Sequence, residues 1–324
     1  MDHEELLAQL HDWHDNDEYS RIIERIQQVP VQERGYGLIS QLARAYNNDE
    51  RYREAIQQLL SVADEGKQDP LWHFRLGFAY HHLGLYDQAL HALREANRLQ
   101  PGDEDTLDYI EYIRPKAEKM IRDQQRCKLD AAIWKQKHGN ALPFEGFDLA
   151  SFWRGNEYAR ANEISEPVDE AVVRSIEQEL GYTIPAAYIA LMKSQNGGTP
   201  SRTSFPTQEA TSWAEDHIAI TDIHGIRRDR SHSFGGGLGS RFMIEEWGYP
   251  DLGIVICDCP SAGHDVVMLD YRLCGPEGEP SVVHVDQEDD YEITYLAPNF
   301  EAFIRGLVDD SVFDEGDEGE DIED

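Results

Sequence analysis

The run EEWGYPDLGIVICDCPSAGHDVVMLDYRLCGPEGEPSVVHV, residues 245–285, carries the densest strand signal in the chain. Residues 252–259 are rich in β-branched side chains without helical spacing, 265–272 repeat that character, and 280–286 supply a third such segment. Between them lie Pro260-Ser261-Ala262-Gly263 and the stretch 274–280, whose glycines and prolines suit tight reversals. Three strands joined by short turns predict an antiparallel meander. Such a sheet needs cover, and the amphipathic segments 168–195 and 299–308 flank the run. The expectation is a sheet with helices on one face, an α+β domain.

Upstream of that domain the pattern changes. Residues 1–138 carry almost no strand signal and repeat themselves: Trp13, Tyr46 and Tyr80 recur at spacings of 33 and then 34 residues. The same register aligns Tyr19 with Tyr52 and Tyr86, Ile22 with Ala55 and Ala89, and Ile26 with Leu59 and Leu93. A small residue three positions after the second aromatic lets paired helices approach closely, as in stacked helix-turn-helix units. The third unit, PLWHFRLGFAYHHLGLYDQALHALREANRLQPGD, resembles the tetratricopeptide repeat through Leu76, Gly77, Tyr80, Ala89, Ala96 and Pro101. The second unit lacks the terminal proline, and the first has Ile22 where a small residue is expected. Residues 104–138 read as a closing helix that Pro115 kinks or splits, because proline removes a donor and crowds the preceding turn.

The exposed inner face of such a stack presents Phe74, Phe78, His81 and His82, with Arg44, Asn47 and Asn48 from the unit before, as candidates for a groove that takes a peptide or client protein. Residues 139–166 form a connector in which Phe147, Phe152 and Trp153 are expected to pin the chain to one domain. The division read from sequence is thus 1–138, 139–166, 167–308 and an acidic, disordered tail, 309–324.

In the C-terminal part, Val172, Val173, Ile176 and Leu180 give helical spacing stopped by Gly181. Pro185 opens a second helix, which Asn196-Gly197-Gly198 ends. These elements, with Ile184, Tyr188, Trp247-Gly248, Gly263-His264-Asp265, Leu269-Asp270, Phe300, Phe303 and Leu307, resemble the SUKH superfamily over about residues 147–308. The resemblance implies a curved, mainly antiparallel sheet packed by helices. It also implies a protein that binds other proteins: many bacterial members are immunity proteins that neutralise toxins, often nucleases, and fungal members are cell-wall assembly regulators.

Charge sharpens the expectation. The chain of 324 residues has 29 Lys and Arg against 63 Asp and Glu, a net charge of −34, which disfavours nucleic acid and anionic membranes and favours a basic partner. Trp247, Tyr249 and Asp251, with the loop of Asp286, Glu288, Asp289 and Asp290, are the candidate partner-binding residues, the acids steering encounter and an aromatic anchoring the complex. A regulatory adaptor that recruits clients through the helical repeats is the alternative.

Catalysis is not expected. His217, His224, His232, His264 and His284 offer bases and Asp258, Asp265 and Asp270 offer carboxylates, but no nucleophile elbow, P-loop or zincin spacing organises them. Gly235-Gly236-Gly237-Leu238-Gly239 lacks the following Lys-Ser/Thr of a phosphate loop and reads as a flexible turn. Cys257, Cys259 and Cys274 with His264 or His284 could supply four zinc ligands, yet the spacing fits no standard knuckle. Buried reduced thiols, with no metal and no cofactor, are expected. The opening MDHEELLAQLHDW has no basic, apolar leader and no window reaches the length of a membrane span, which predicts a cytoplasmic protein.

Overall fold

The computed structural model describes residues 3–139, 141–155 and 168–313. The chain divides into two compact units, Met1–Arg122 and Asp123–Asp324.

The first unit is helical, consistent with a helical repeat. Its elements are α1 (His3–Asp15), α2 (Tyr19–Gln27), α3 (Tyr36–Asn48), α4 (Tyr52–Ser61), the single turn α5 (Ala63–Gly66), α6 (Pro70–His82), α7 (Tyr86–Leu99) and the first part of α8 (Glu104–His138). Where α6 starts, Pro70 takes the first helical position and Asp69 Oδ1 accepts the Leu71 amide at 2.9 Å. The registered positions Ile22, Ala55 and Ala89, and Ile26, Leu59 and Leu93, are all buried. Gly77 shows why small residues matter here: a Cβ placed on it would lie 2.7 Å from Leu93 Cγ, so α6 and α7 meet at a distance only glycine permits. The expected break at Pro115 does not occur. Helix α8 is continuous through it, and Pro115 is exposed, so the carbonyl left without its amide partner can turn to water.

The second unit is built on a five-stranded antiparallel sheet. Its strands β3 (Asp222–Ile223), β4 (Gly253–Asp258), β5 (Asp265–Asp270), β6 (Ser281–Asp286) and β7 (Glu292–Ala297) lie side by side in sequence order. The expected three-strand meander is β4 to β6. The sequence reading stopped short of β7, whose six residues follow directly on the acidic run. A separate hairpin pairs β1 (Ser204–Pro206) with β2 (His217–Ala219).

In register, Ile254, Leu269, Val282 and Ala297 pair across the sheet, and together they join the core beneath α9 (Glu170–Leu180), α10 (Ala186–Ser194) and α12 (Phe300–Gly306). Local signals set those helices. Asp169 and Asn299 cap two of them by accepting the Ala171 and Ala302 amides, and Gly181 ends α9 at φ +79°. The opposite face is not solvated, however: Val255, Val266, Met268, Val283, Val285 and Tyr295 are also buried. Part of that cover comes from the C-terminal half of α8, where Asp130 accepts the Tyr295 hydroxyl at 3.1 Å and Arg126 lies 5.0 Å over the Tyr295 ring. The unbroken burial of β5 and β6 reflects a sheet covered on both sides.

The described part of the connector docks on this unit. Phe144 and Phe152 enter its core, Phe147 and Trp153 pack at the edge, and the Phe144 amide donates to Glu301 at 2.9 Å. Residues 309–313, assigned from sequence to the tail, are ordered: Asp310–Val312 is a 3-10 turn, the Ser204 hydroxyl donates to Asp310, and the Phe313 ring stacks on His217 at 4.0 Å. The rest of the tail lies outside the described residues.

Candidate functional site

Trp247 follows the short helix α11 (Ser240–Glu245) through a turn in which Gly248 takes φ +74°. The indole is 37% exposed and rests on Gly263, where a Cβ would come within 2.2 Å of the ring. Gly263 is therefore a seat for Trp247. The Trp247 carbonyl accepts the Tyr291 hydroxyl at 2.5 Å, and that hydroxyl also receives Gln287 Nε2 at 3.0 Å. Tyr291 and Asp290 both adopt positive φ, which turns the chain sharply between β6 and β7 and leaves Glu288, Asp289 and Asp290 exposed. His264, the residue after the seat, has Nδ1 2.6 Å from a Glu288 carboxylate oxygen. One surface thus carries Trp247 and the exposed acids of the 287–291 turn.

Two residues expected on that surface are interior. Tyr249 is 2% exposed and donates its hydroxyl to the Gly263 carbonyl at 2.7 Å. Asp286 is also 2% exposed, and its carboxylate accepts the Ser212 amide at 3.0 Å and the Glu288 amide at 3.1 Å. Both side chains hold the frame of the loops instead of facing a partner, because a carboxylate satisfied by buried amides cannot be spared. Asp251 is half-buried, within reach of the Tyr182 hydroxyl at 3.3 Å, in a shallow groove with Glu179 and Arg241.

In the helical unit, the candidate groove residues form an aromatic cluster. His82 stacks on Tyr52 at 4.5 Å, Phe78 lies 6.2 Å from the same ring, and His81 Nδ1 is 2.6 Å from the Tyr109 hydroxyl of α8. Phe74 also meets Tyr109, at 6.0 Å. Asn47 is buried and donates to the Arg75 carbonyl.

Beside Trp247 opens a cavity of about 730 Å³ lined by Gly197, Gly198, Asp222, Arg227, Phe242 and Met243, among others. Two residues of its wall, His232 and Asp258, meet a third from a separate segment, the buried His224. His224, just past β3, is 1% exposed; its amide donates to the Ile256 carbonyl and its carbonyl accepts the Tyr188 hydroxyl at 2.6 Å. Asp258 ends β4, opposite Asp222 in register. His232 comes from the glycine-rich loop, which is closely folded: a Cβ on Gly236 would lie 2.0 Å from the Arg230 carbonyl and 2.4 Å from that of Ser231. His232 Nδ1 lies 2.7 Å from Asp258 Oδ2, and His224 Nε2 lies 3.0 Å from Asp258 Oδ1. Burial works to raise the Asp258 pKa, but the two imidazoles outweigh it and hold the carboxyl below its ordinary value.

A second trio lies inside the domain. His284 Nε2 is 2.7 Å from Asp265 Oδ2, and Cys259 joins them, all three buried. Cys257 and Cys274 do not belong to this trio, so the four-ligand arrangement considered from sequence does not assemble. Burial pushes the Cys257 and Cys259 thiols well above the ordinary range, which keeps them protonated and unreactive. Sequence reading included His224, His232 and Asp258 only among scattered bases and acids, since the convergence exists through β3–β4 pairing and the fold of one loop.

The fold is an α+β domain in a chain that also carries a helical unit. Residues 170–304 match the family model SUKH_6, described as SMI1-KNR4 cell-wall, so this part of the chain is similar to that family. A search of curated proteins gave no match. Among the described residues no helix is long and apolar enough to cross a membrane.

Proposed function

We propose that the chain is a non-catalytic, cytoplasmic interaction protein, an immunity protein whose SUKH domain binds and neutralises a basic toxin domain, such as a nuclease. The observation that carries this reading is the surface on which Trp247 stands beside the exposed Glu288, Asp289 and Asp290, in a chain of net charge −34. Exposed acids steer a basic partner over a Debye length, and a half-exposed indole seated on a glycine offers a rigid anchor at little entropic cost. The family-model match over residues 170–304 supports protein binding as the general activity. Co-expression with the basic toxin domain encoded by a neighbouring gene tests it: the wild type is expected to restore growth, and a variant combining Trp247→Ala with Glu288→Gln, Asp289→Asn and Asp290→Asn is expected to fail. Equal rescue by both proteins would move the binding site elsewhere, and no rescue by either would favour the adaptor alternative.

That alternative rests on the helical unit, where Phe74, Phe78, His81 and His82 cluster. Recovery of several endogenous proteins with the wild type, lost on Phe78→Ala, would support it.

A further inference from the structure

The geometry points to a divalent metal site, of the zinc type, formed by His232 and Asp258 at the wall of the cavity beside Trp247 together with the buried His224. Three donors, two imidazoles and a carboxylate, all lie within 4.8 Å of one another. Donors each ~2.0–2.1 Å from one ion stand about 3.0–3.4 Å apart, depending on whether they meet at octahedral or tetrahedral angles. The Asp258 contacts of 3.0 and 2.7 Å are close to that spacing, and a rotation of the exposed His232 ring suffices to open the shorter one.

A second observation singles out His224. The ring is almost fully buried, yet neither nitrogen has a hydrogen bond of good geometry, so its Nε2 points at the carboxylate without the alignment of a donor. A buried imidazole in this condition costs free energy unless something coordinates it. Its backbone is clamped on both sides by Ile256 and Tyr188, so the ring cannot leave. Asp222, paired opposite Asp258, adds negative charge near the site, and Arg227 is neutralised by a two-pronged contact with Asp229 at 2.7 and 2.8 Å. Two neutral imidazoles and one carboxylate suit a borderline cation such as zinc better than calcium or magnesium, which prefer oxygen. Among the described residues three protein donors converge, and His232 and Asp258 border the cavity of about 730 Å³, from which a fourth donor could approach. That donor can be water or a group of a bound molecule. The ion would also tie the 226–239 loop to the end of β4.

The test uses the full chain stripped with a chelator and titrated with zinc in a calorimeter, then with cobalt(II) followed by visible absorption. One tight equivalent of zinc is expected, with a cobalt spectrum of nitrogen and oxygen ligation free of any thiolate charge-transfer band. His232→Ala should weaken this binding by roughly 100-fold, since one of three donors is lost. His232 lies in an exposed loop position, so the variant keeps its fold, which circular dichroism checks. Cys259→Ser should leave uptake unchanged. The inference fails if zinc binds only weakly and to many sites equally in wild type and His232→Ala, as expected of a surface rich in carboxylates. It fails equally if cobalt shows a thiolate band that Cys259→Ser removes, because the Cys259, Asp265 and His284 trio would then be the site, or if no uptake occurs.

Discussion

His14 sets a pH limit on the helical unit. It is 4% exposed at the end of α1, and its pKa is lowered from 6.5 to about 4, first by burial and then by the charges of Arg44 and Arg75. The Gln41 carbonyl acts in the opposite direction but makes no well-aligned hydrogen bond, and neither ring nitrogen has a partner. In the unfolded chain the same imidazole protonates near 6.5. Unfolding therefore takes up a proton between those two values, and the stability present above pH 6.5 is lost as pH falls toward 4. At pH 5 the unfolded histidine is almost wholly protonated and the folded one almost wholly neutral, a difference of about 1.5 pK units or about 2 kcal/mol. Hydrogen exchange by mass spectrometry on the full chain, corrected for intrinsic rates, reads this locally. Protection of the buried amides of α1 to α3 should fall about twentyfold more between pH 7 and 5 in the wild type than in His14→Leu. Other histidines contribute equally to both proteins and cancel in the comparison. Parallel loss of protection in the two would show that His14 is protonated in the folded state at pH 5 and would refute the reasoning.

Three further outcomes can be measured. Neutralising Glu288, Asp289 and Asp290 together should lower the association rate of a basic partner about tenfold at low salt and flatten its salt dependence, because the Debye length shrinks from ~30 Å at 0.01 M to ~8 Å at 0.15 M; stopped-flow mixing reads this. Asp286→Ala should instead destabilise the domain by about 1–3 kcal/mol, since it leaves the Ser212 and Glu288 amides without their acceptor, and urea titration would detect the shift. Gly77→Val forces α6 from α7 and should cost about 1–3 kcal/mol, visible as a lower unfolding midpoint with the C-terminal transition unchanged.

The elements visible in sequence were those whose cause is local. The stop at Gly181, the helix start at Pro185 and the reversals around Gly263 and Gly275 depend on residues within a turn of each other, and the structure has helices and strands where these signals stand. Strand β7 was passed over because EITYLA follows an acidic run and alternates weakly; its place is fixed by pairing with β6. The hairpin of β1 and β2 is three residues a side, too short to show a period. Pro115 does not split the helix because α8 packs along one stripe, with Ile110, Ile113, Ala117 and Met120 buried, and leaves Pro115 on its solvent side. Among the candidate binding residues, Trp247 and the exposed acids share a surface that sequence alone could not assemble. The burial of Tyr249 and Asp286 was illegible for the same reason: residue type says what a side chain can do, and only the surrounding chain says whether it faces solvent.

The strict sequence order of the five-stranded sheet also governs how the domain comes into being. From β4 to β7 every strand pairs with its immediate neighbours in the chain across short turns, so each of these hairpins can close as soon as its second strand is available, whereas pairing of β3 with β4 must first close the 224–252 segment. On the ribosome the sheet can therefore zip from β4 toward β7 as the polypeptide emerges. The apolar faces of α9 and α10, made earlier, must wait for Phe300 and Phe303 of α12, which join the same core from the other end of the domain. A chain that stops before Glu292 would hold β6 as an open edge and leave that core without its last layer, so premature termination there should yield an aggregating product and not a smaller folded one.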